Sequence, residues 1–165
     1  MTFTTREVVE AIQELLEGES GLTASLEALK AAYIRDEHQP DTAQLVLSKI
    51  PAEMQERAWG VKYPVLQVYC DRIESRPVER LRRFSGRVRV VVEIRVSGDR
   101  LNALSDRLHY YLDAVRDVVE RNAGCVREGL YLCQEYEVQV EPVKKGGQNF
   151  LQAARIGCVV MVNRG

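Results

Sequence analysis

The chain has 165 residues, enough for one well-buried core, and its 45% hydrophobic and 28% charged residues are ordinary for a soluble globular protein. Its formal net charge of −1 gives no global attraction to nucleic acid or to an anionic membrane. No apolar run approaches the roughly 20 residues that span a bilayer, and the N-terminus lacks the layout of a secretion signal. These features predict a single domain that stays in the cytosol where it is made, without membrane contact.

The four cysteines support that location. Cys70, Cys125, Cys133 and Cys158 form no CxxC pair, and no histidine lies at a ligand-like spacing from them. Cys70 and Cys158 lie in strand-like runs, where a thiol packs as a small apolar residue. We expect buried, reduced thiols in preference to disulfides or a metal site.

Residues 1–62 are predicted to form a helical segment that packs on the same domain. Thr4 begins a first helix with a capping-box sequence, and Gly18 ends it. A second helix is predicted from about Thr23 to Arg35, and a short third one from Thr42 to Lys49. Pro51–Gly60 is either one more helical turn or a loop.

From Tyr63 the pattern becomes that of strands. Tyr63–Cys70 is rich in β-branched and aromatic residues, and Ile73 extends the run. In Gly86–Val96, valine or isoleucine alternates with arginine or glutamate. Because the side chains of a strand alternate between its two faces, this segment predicts a sheet with one apolar and one charged face.

The clearest helix is predicted between Asp99, as its N-cap, and Asn122. Its apolar residues recur every three or four positions, which suits a helix that covers the apolar face of the sheet. Tyr111 lies on this stripe and is predicted to be core, whereas Tyr110 is expected at the surface or an interface. His109 is interpreted as a surface or boundary residue.

Two strands are predicted after the helix, Glu135–Glu141 and Leu151–Asn163, joined by a long flexible loop over Pro142–Phe150. The fold class is therefore predicted as α+β. It has a four-stranded, mainly antiparallel sheet (β-β-α-β-β) covered by one long helix, over residues 63–165, after the N-terminal helical segment.

No catalytic signature is present in the sequence. There is no GxSxG, P-loop, HExxH or GxGxxG motif, and His38 and His109 stand apart from other candidate groups. We therefore predict no catalytic residue, no cofactor and no metal, and an enzyme is the weaker interpretation.

Two charged features suggest an interface instead. Six arginines and one opposing glutamate, Glu79, lie between Arg76 and Arg89, while the strand from Glu135 carries carboxylates. One interpretation is a cross-strand charge ladder within one molecule. A second is a basic edge that meets an acidic edge of another subunit, and a third is a nucleic-acid patch, although Phe84 is its only aromatic residue. The candidate interface residues are Arg76, Arg80, Arg82, Arg83, Arg87, Glu135, Glu137, Glu141, Lys144, Lys145, Gln148 and Asn149.

Several features from Tyr63 onward combine into a recognisable layout. They are the Tyr63-Pro64 strand entry, the Phe84-Ser85-Gly86 step into the alternating strand, the Asp99 helix with its Tyr110-Tyr111-Leu112-Asp113 centre, the Glu135–Glu141 strand, and the apolar strand after the loop. In this layout the segment resembles the tail terminator proteins of tailed bacteriophages and related prophage elements. The segment from Met1 to about Gly60 lies outside the resemblance.

The resemblance implies a small structural subunit, without enzymatic activity or cofactor, that forms a homo-hexameric ring on the last ring of the tail tube protein. The ring halts tube growth and offers a docking surface to the head–tail connector or stopper protein, and DNA passes through its lumen without being read. The implied location is the tail or neck of the virion, assembled in the host bacterial cytoplasm. The alternatives are another phage neck or head-completion component, a stand-alone oligomeric α/β regulator or binding domain, and an unrecognised enzyme.

Overall fold

The computed structural model describes residues 4–32, 46–48, 63–76 and 84–164. In this part the chain forms three helices and seven strands. The helices are α1 (Thr5–Glu17), α2 (Leu22–Lys30) and α3 (Leu101–Arg121). The strands are β1 (Val46–Ser48), β2 (Val65–Ser75), β3 (Phe84–Gly98), β4 (Gly124–Arg127), β5 (Leu130–Val140), β6 (Lys144–Gly146) and β7 (Asn149–Arg164).

The strands form one sheet in the order β1-β2-β3-β7-β5-β4, and β6 pairs with β7. All described pairings are antiparallel except that of β1 with β2. The predicted α+β class with a mainly antiparallel sheet is confirmed. The predicted count of four strands is wrong, because β1, β4 and β6 are strands of only three or four residues, too short to show a two-residue period in the sequence.

The predicted alternation in β3 is confirmed, and it explains the core. Val88, Val90, Val92, Ile94 and Val96 are all fully buried on one face. The helix α3 contacts β3 and β7 on this side, and its Leu104, Leu108, Tyr111 and Val115 belong to the same hydrophobic core. Burial of each such side chain contributes about 1.5–3 kcal/mol before chain entropy is subtracted.

The first helix begins and ends as predicted. The Thr4 side chain accepts a hydrogen bond from the Glu7 amide, and Gly18 is the C-cap. The second helix ends at Lys30, earlier than the predicted Arg35, and residues 33–35 lie outside the described part. Val8, Ile12 and Leu26 join the core of the sheet and α3.

Side-chain hydrogen bonds join α2 to α3, and one of them corrects the prediction for Tyr110. Its hydroxyl donates a hydrogen bond to the Leu26 carbonyl at 2.6 Å, and Tyr110 is buried because α2 lies over it. Ser25 bonds Asp117 at 2.6 Å, and Asp117 also pairs with Arg121 at 2.9 Å. Tyr111 is in the core, as predicted, and His109 is exposed.

Three further predictions are wrong in detail. The N-cap of α3 is Arg100, which makes no side-chain capping bond, rather than Asp99. The helix predicted over Thr42–Lys49 is wrong at Val46–Ser48, because these residues form strand β1 and pair in parallel with the start of β2. Residues 42–45 and 49, like the Pro51–Gly60 segment, lie outside the described part.

The region predicted as a long loop, Pro142–Phe150, is a tight hairpin. Strand β6 pairs with the start of β7, and Gly146 lies opposite Asn149 across a two-residue turn. Gly147 has φ +69 at the first position of that turn, where this geometry favours glycine. The strand predicted from Glu135 also begins earlier, at Leu130.

Candidate interface surfaces

The charged face of the sheet, opposite α3, is centred on Glu93 of β3. This carboxylate is only 4% exposed. It accepts a hydrogen bond from Arg95 Nε at 2.6 Å, one from Arg155 Nε at 2.8 Å and one from the Tyr69 hydroxyl at 3.1 Å. Burial alone would raise the pKa of Glu93, but the hydrogen bonds and charges of the two arginines outweigh it and hold that pKa below its usual value.

A second group of charges surrounds Arg89. Its guanidinium pairs with Asp71 at 2.5 Å and with Glu137 at 3.1 Å, so it bridges β2 and β5 across β7. The bridge crosses Gly157, where an added Cβ would lie 2.6 Å from Arg89 Nε. Glycine at this position therefore leaves room for the arginine to lie flat on the sheet.

The predicted acidic residues differ in what they contact. Glu137 pairs with Arg89, and Glu141 pairs with Arg155 at 3.0 Å and with Lys144 at 3.0 Å. The contacts of Glu137 and Glu141 therefore fit the first interpretation, a cross-strand charge ladder within one molecule. Glu135 is exposed and has no ion-pair partner among the described residues.

Of the five predicted interface arginines, the structure describes Arg76 and Arg87. Arg80, Arg82 and Arg83 fall outside the described residues. Arg76 pairs weakly with Glu74 at 3.4 Å. Arg87, on the charged face of β3 opposite Met161, has no ion-pair partner in the described part of the chain.

Arg76 and Arg87 border a surface groove of about 540 Å³ that the sequence did not reveal. Its floor includes Tyr131 of β5 and Met161 of β7, which lie side by side in the sheet and are each 47% exposed. The sequence assigns neither residue to a site, because Tyr131 precedes the strand predicted from Glu135 and Met161 lies among the apolar residues of the strand predicted over Leu151–Asn163. We call this surface, defined by Arg76, Arg87, Tyr131 and Met161, the basic groove.

The remaining predicted interface residues occupy the β6–β7 hairpin. Lys144 and Lys145 lie on β6, Gln148 is in the turn and Asn149 begins β7. All four are exposed. The hairpin and the basic groove lie at opposite ends of β7, since one contacts residues near Asn149 and the other residues near Met161.

The described residues contain no group of three or more His, Cys, Asp or Glu side chains placed to hold a metal ion. All four cysteines are free thiols, and Cys125 is exposed, contrary to the expectation of burial. Burial raises the pKa of Cys158 to about 12, so this thiol stays protonated. None of the described helices combines the length and the hydropathy needed to cross a membrane.

No protein-family model matches the chain, and no curated protein matches it. Among solved structures, the chain is similar to a chain in the virion of a native gene transfer agent (GTA) particle. The TM-score is 0.45 and the sequence identity 10%, over 99% of this chain and 98% of that chain.

Proposed function

We propose that this protein is a non-enzymatic structural subunit of a phage-type tail that assembles head to tail into a ring ending the tail tube. The ring would rest on the tail tube protein, offer its other side to the head–tail connector, and let DNA pass through its lumen without reading it. The proposed location is the tail or neck of the virion. We propose a ring of six subunits with these partners because residues 63–165 resemble tail terminators.

The observation that carries the proposal is a pair of unlike surfaces on one chain. The basic groove presents Arg87, and the acidic strand β5 presents Glu135, each without a partner in the described residues. A two-fold dimer joins identical patches, whereas a ring needs a patch that meets a different patch on its neighbour. Arginine suits such a contact because its planar guanidinium binds a carboxylate with two parallel hydrogen bonds.

Native mass spectrometry and negative-stain microscopy of the purified protein test the proposal. We expect closed rings of one size, and we expect shorter tubes when the protein is added to the polymerising tail tube protein of the same phage or prophage. A monomer or a two-fold dimer at micromolar concentration, with tube length unchanged, would overturn the proposed function.

A charge-swap series tests the two surfaces themselves. Arg87→Glu and Glu135→Arg should each weaken ring formation, and the double variant should recover part of it. Glu19→Lys changes an exposed carboxylate outside both surfaces and serves as the matched control. Rings of normal yield in both single variants would remove these residues from the interface.

A further inference from the structure

Over most of the length of β5, no described strand pairs with its outer edge. Strand β4 pairs only with Leu130–Leu132, and from Cys133 to Val140 no described strand lies on that side. A bulge interrupts the register between Leu132 and Tyr136, and beyond it the strand is regular from Tyr136 to Val140. These five residues form an edge of roughly 16 Å whose outward backbone groups pair with no described strand.

The direction of those backbone groups follows from one hydrogen bond. The Glu141 amide donates to the Ala153 carbonyl, so residue 141 faces β7. Because hydrogen-bonded positions alternate along an antiparallel strand, Glu137 and Gln139 also face β7. The amides and carbonyls of Tyr136, Val138 and Val140 therefore point outward from the open edge.

The side chains along this edge are unusually apolar for a free strand. Val138 is 38% exposed and Val140 41% exposed, although both lie on the face that α3 covers elsewhere. The cover ends at Tyr136, whose hydroxyl contacts Arg116 and Glu120 of α3. Free edges are usually protected by charged side chains, proline or a bulge, and within Tyr136–Val140 only Glu137 is of this kind.

The opposite edge of the sheet has matching features. Strand β1 covers only Val65–Gln67 of β2, and no other described strand pairs with the outer side of β2. Ile73 lies on the same face as the core, opposite Val88, and is 49% exposed. Arg72 lies on the charged face, opposite Arg89.

The geometry points to a second copy of this chain as the occupant of the β5 edge. Each step from β2 to β3, β7 and β5 reverses the strand direction, so β2 and β5 run in opposite directions. A second copy placed alongside in the same orientation therefore presents β2 antiparallel to β5. The same placement keeps Ile73 on the face of Val138 and Val140, and Arg72 on the face of Glu137. Within one subunit Ile73 is level with Leu132, and Val138 is level with Val68. The second copy must therefore also be shifted by about four residues along the strands, which brings Ile73 beside Val138 and keeps β1 clear of the β5 edge.

We propose that β5 of one subunit and β2 of the next pair edge to edge, so that the sheets join into a continuous belt around the ring. This inference rests on the proposed function, because it requires the head-to-tail ring. The pairing satisfies the outward backbone groups of Tyr136–Val140 and covers the exposed valines together with Ile73.

Hydrogen exchange on the unmodified protein tests the pairing. In the free subunit the amides of Tyr136, Val138 and Val140 should exchange fast, and those of Glu137 and Gln139 slowly. In the assembled ring all five should exchange slowly. If rings form while the amides of Val138 and Val140 stay fast, the edge pairing is wrong and the proposed function stands. If no rings form, both fail.

A matched pair of variants gives a second test. Val138→Pro removes an outward amide that β7 does not use, which an edge strand tolerates, while Val138→Ala removes side-chain bulk and keeps the amide. We expect loss of rings in Val138→Pro and retention of most rings in Val138→Ala. Far-UV circular dichroism checks that both fold. Equal ring yields from two folded variants would overturn the pairing, and the exchange experiment decides the case if Val138→Pro does not fold.

Discussion

Glu93→Gln tests whether the buried carboxylate at the centre of the charged face stabilises the fold. The substitution keeps the size of the side chain but leaves Arg95 and Arg155 without the charge that both contact. Removing one partner of a buried ion pair costs about 3–5 kcal/mol. Arg155 is 35% exposed and retains Glu141, so we expect the lower end, about 3 kcal/mol of unfolding free energy.

The pH dependence of this loss is fixed by the direction of the pKa shift. The pKa of Glu93 is lower in the folded protein than in the unfolded chain, where it is about 4.3. Its contribution is therefore complete above that value and is lost as the pH falls through the lower, folded pKa. The difference between wild type and Glu93→Gln should stay constant from pH 7 to about pH 5 and shrink in more acidic solution.

Urea unfolding at fixed protein concentration, repeated across this pH range, measures the effect. Glu137→Gln is the matched control, because Glu137 pairs with Arg89 on the same face but its side chain is 75% exposed, and such a pair contributes less than about 1 kcal/mol. If Glu93→Gln costs no more than Glu137→Gln, or if its cost persists unchanged below the lowered pKa, the reasoning about the buried carboxylate is wrong.

Three further substitutions test the packing by thermal or urea unfolding. Tyr110→Phe should destabilise by about 1 kcal/mol, because it removes the hydrogen bond to the Leu26 carbonyl; an unchanged midpoint would contradict that bond. Gly86→Ala should destabilise the β2–β3 pairing, since the new Cβ would collide with the Glu74 carbonyl oxygen of the adjacent strand, and a neutral result would show that the strands can separate at no cost. Leu108→Ala should cost about 2–5 kcal/mol, because Leu108 is fully buried beneath the sheet, and a loss below 1 kcal/mol would place it outside the core.

The long helix and the long strand were predictable because each repeats its apolar pattern often enough to be recognised in the sequence. Strand β3 alternates valine or isoleucine with charged residues over Arg87–Val96, with Val91 as the one exception, and α3 keeps its apolar stripe over five turns. Both periods follow directly from backbone geometry. Their packing against each other follows in turn, because each has only one apolar side to bury.

The short strands were missed although the sequence carries their turn signals. Strands β4 and β5 are joined through Glu128 and Gly129, and Gly129 has φ +72. The β6–β7 turn likewise uses Gly147. A glycine within two residues between strands favours a tight hairpin, but three-residue or four-residue strands have no period by which to recognise them.

The basic groove and the open edge were beyond sequence reasoning for a different reason. All four exposed residues, Tyr131, Met161, Val138 and Val140, have the residue types of a core. Tyr131 and Met161 lie on the charged face, which α3 does not cover, whereas the exposure of Val138 and Val140 depends on where α3 ends its cover of the other face. That boundary is set by tertiary packing, since Tyr136 is the last residue of β5 that α3 contacts by hydrogen bonds. An exposed apolar residue in a strand is therefore visible only once the layers are assembled.

Charges that are paired within the subunit and charges without such a partner in the described residues should have different roles, the first in folding and the second in assembly. Glu93 is neutralised within the subunit by Arg95 and Arg155, so a partner gains little from contacting it. Arg87 and Glu135 have no such neutralising contact in the described residues, and their charges remain available to a neighbour. Substitution of Glu93 should accordingly change unfolding at all protein concentrations. Substitution of Arg87 or Glu135 should leave unfolding of the free subunit nearly unchanged and shift only the concentration at which rings form.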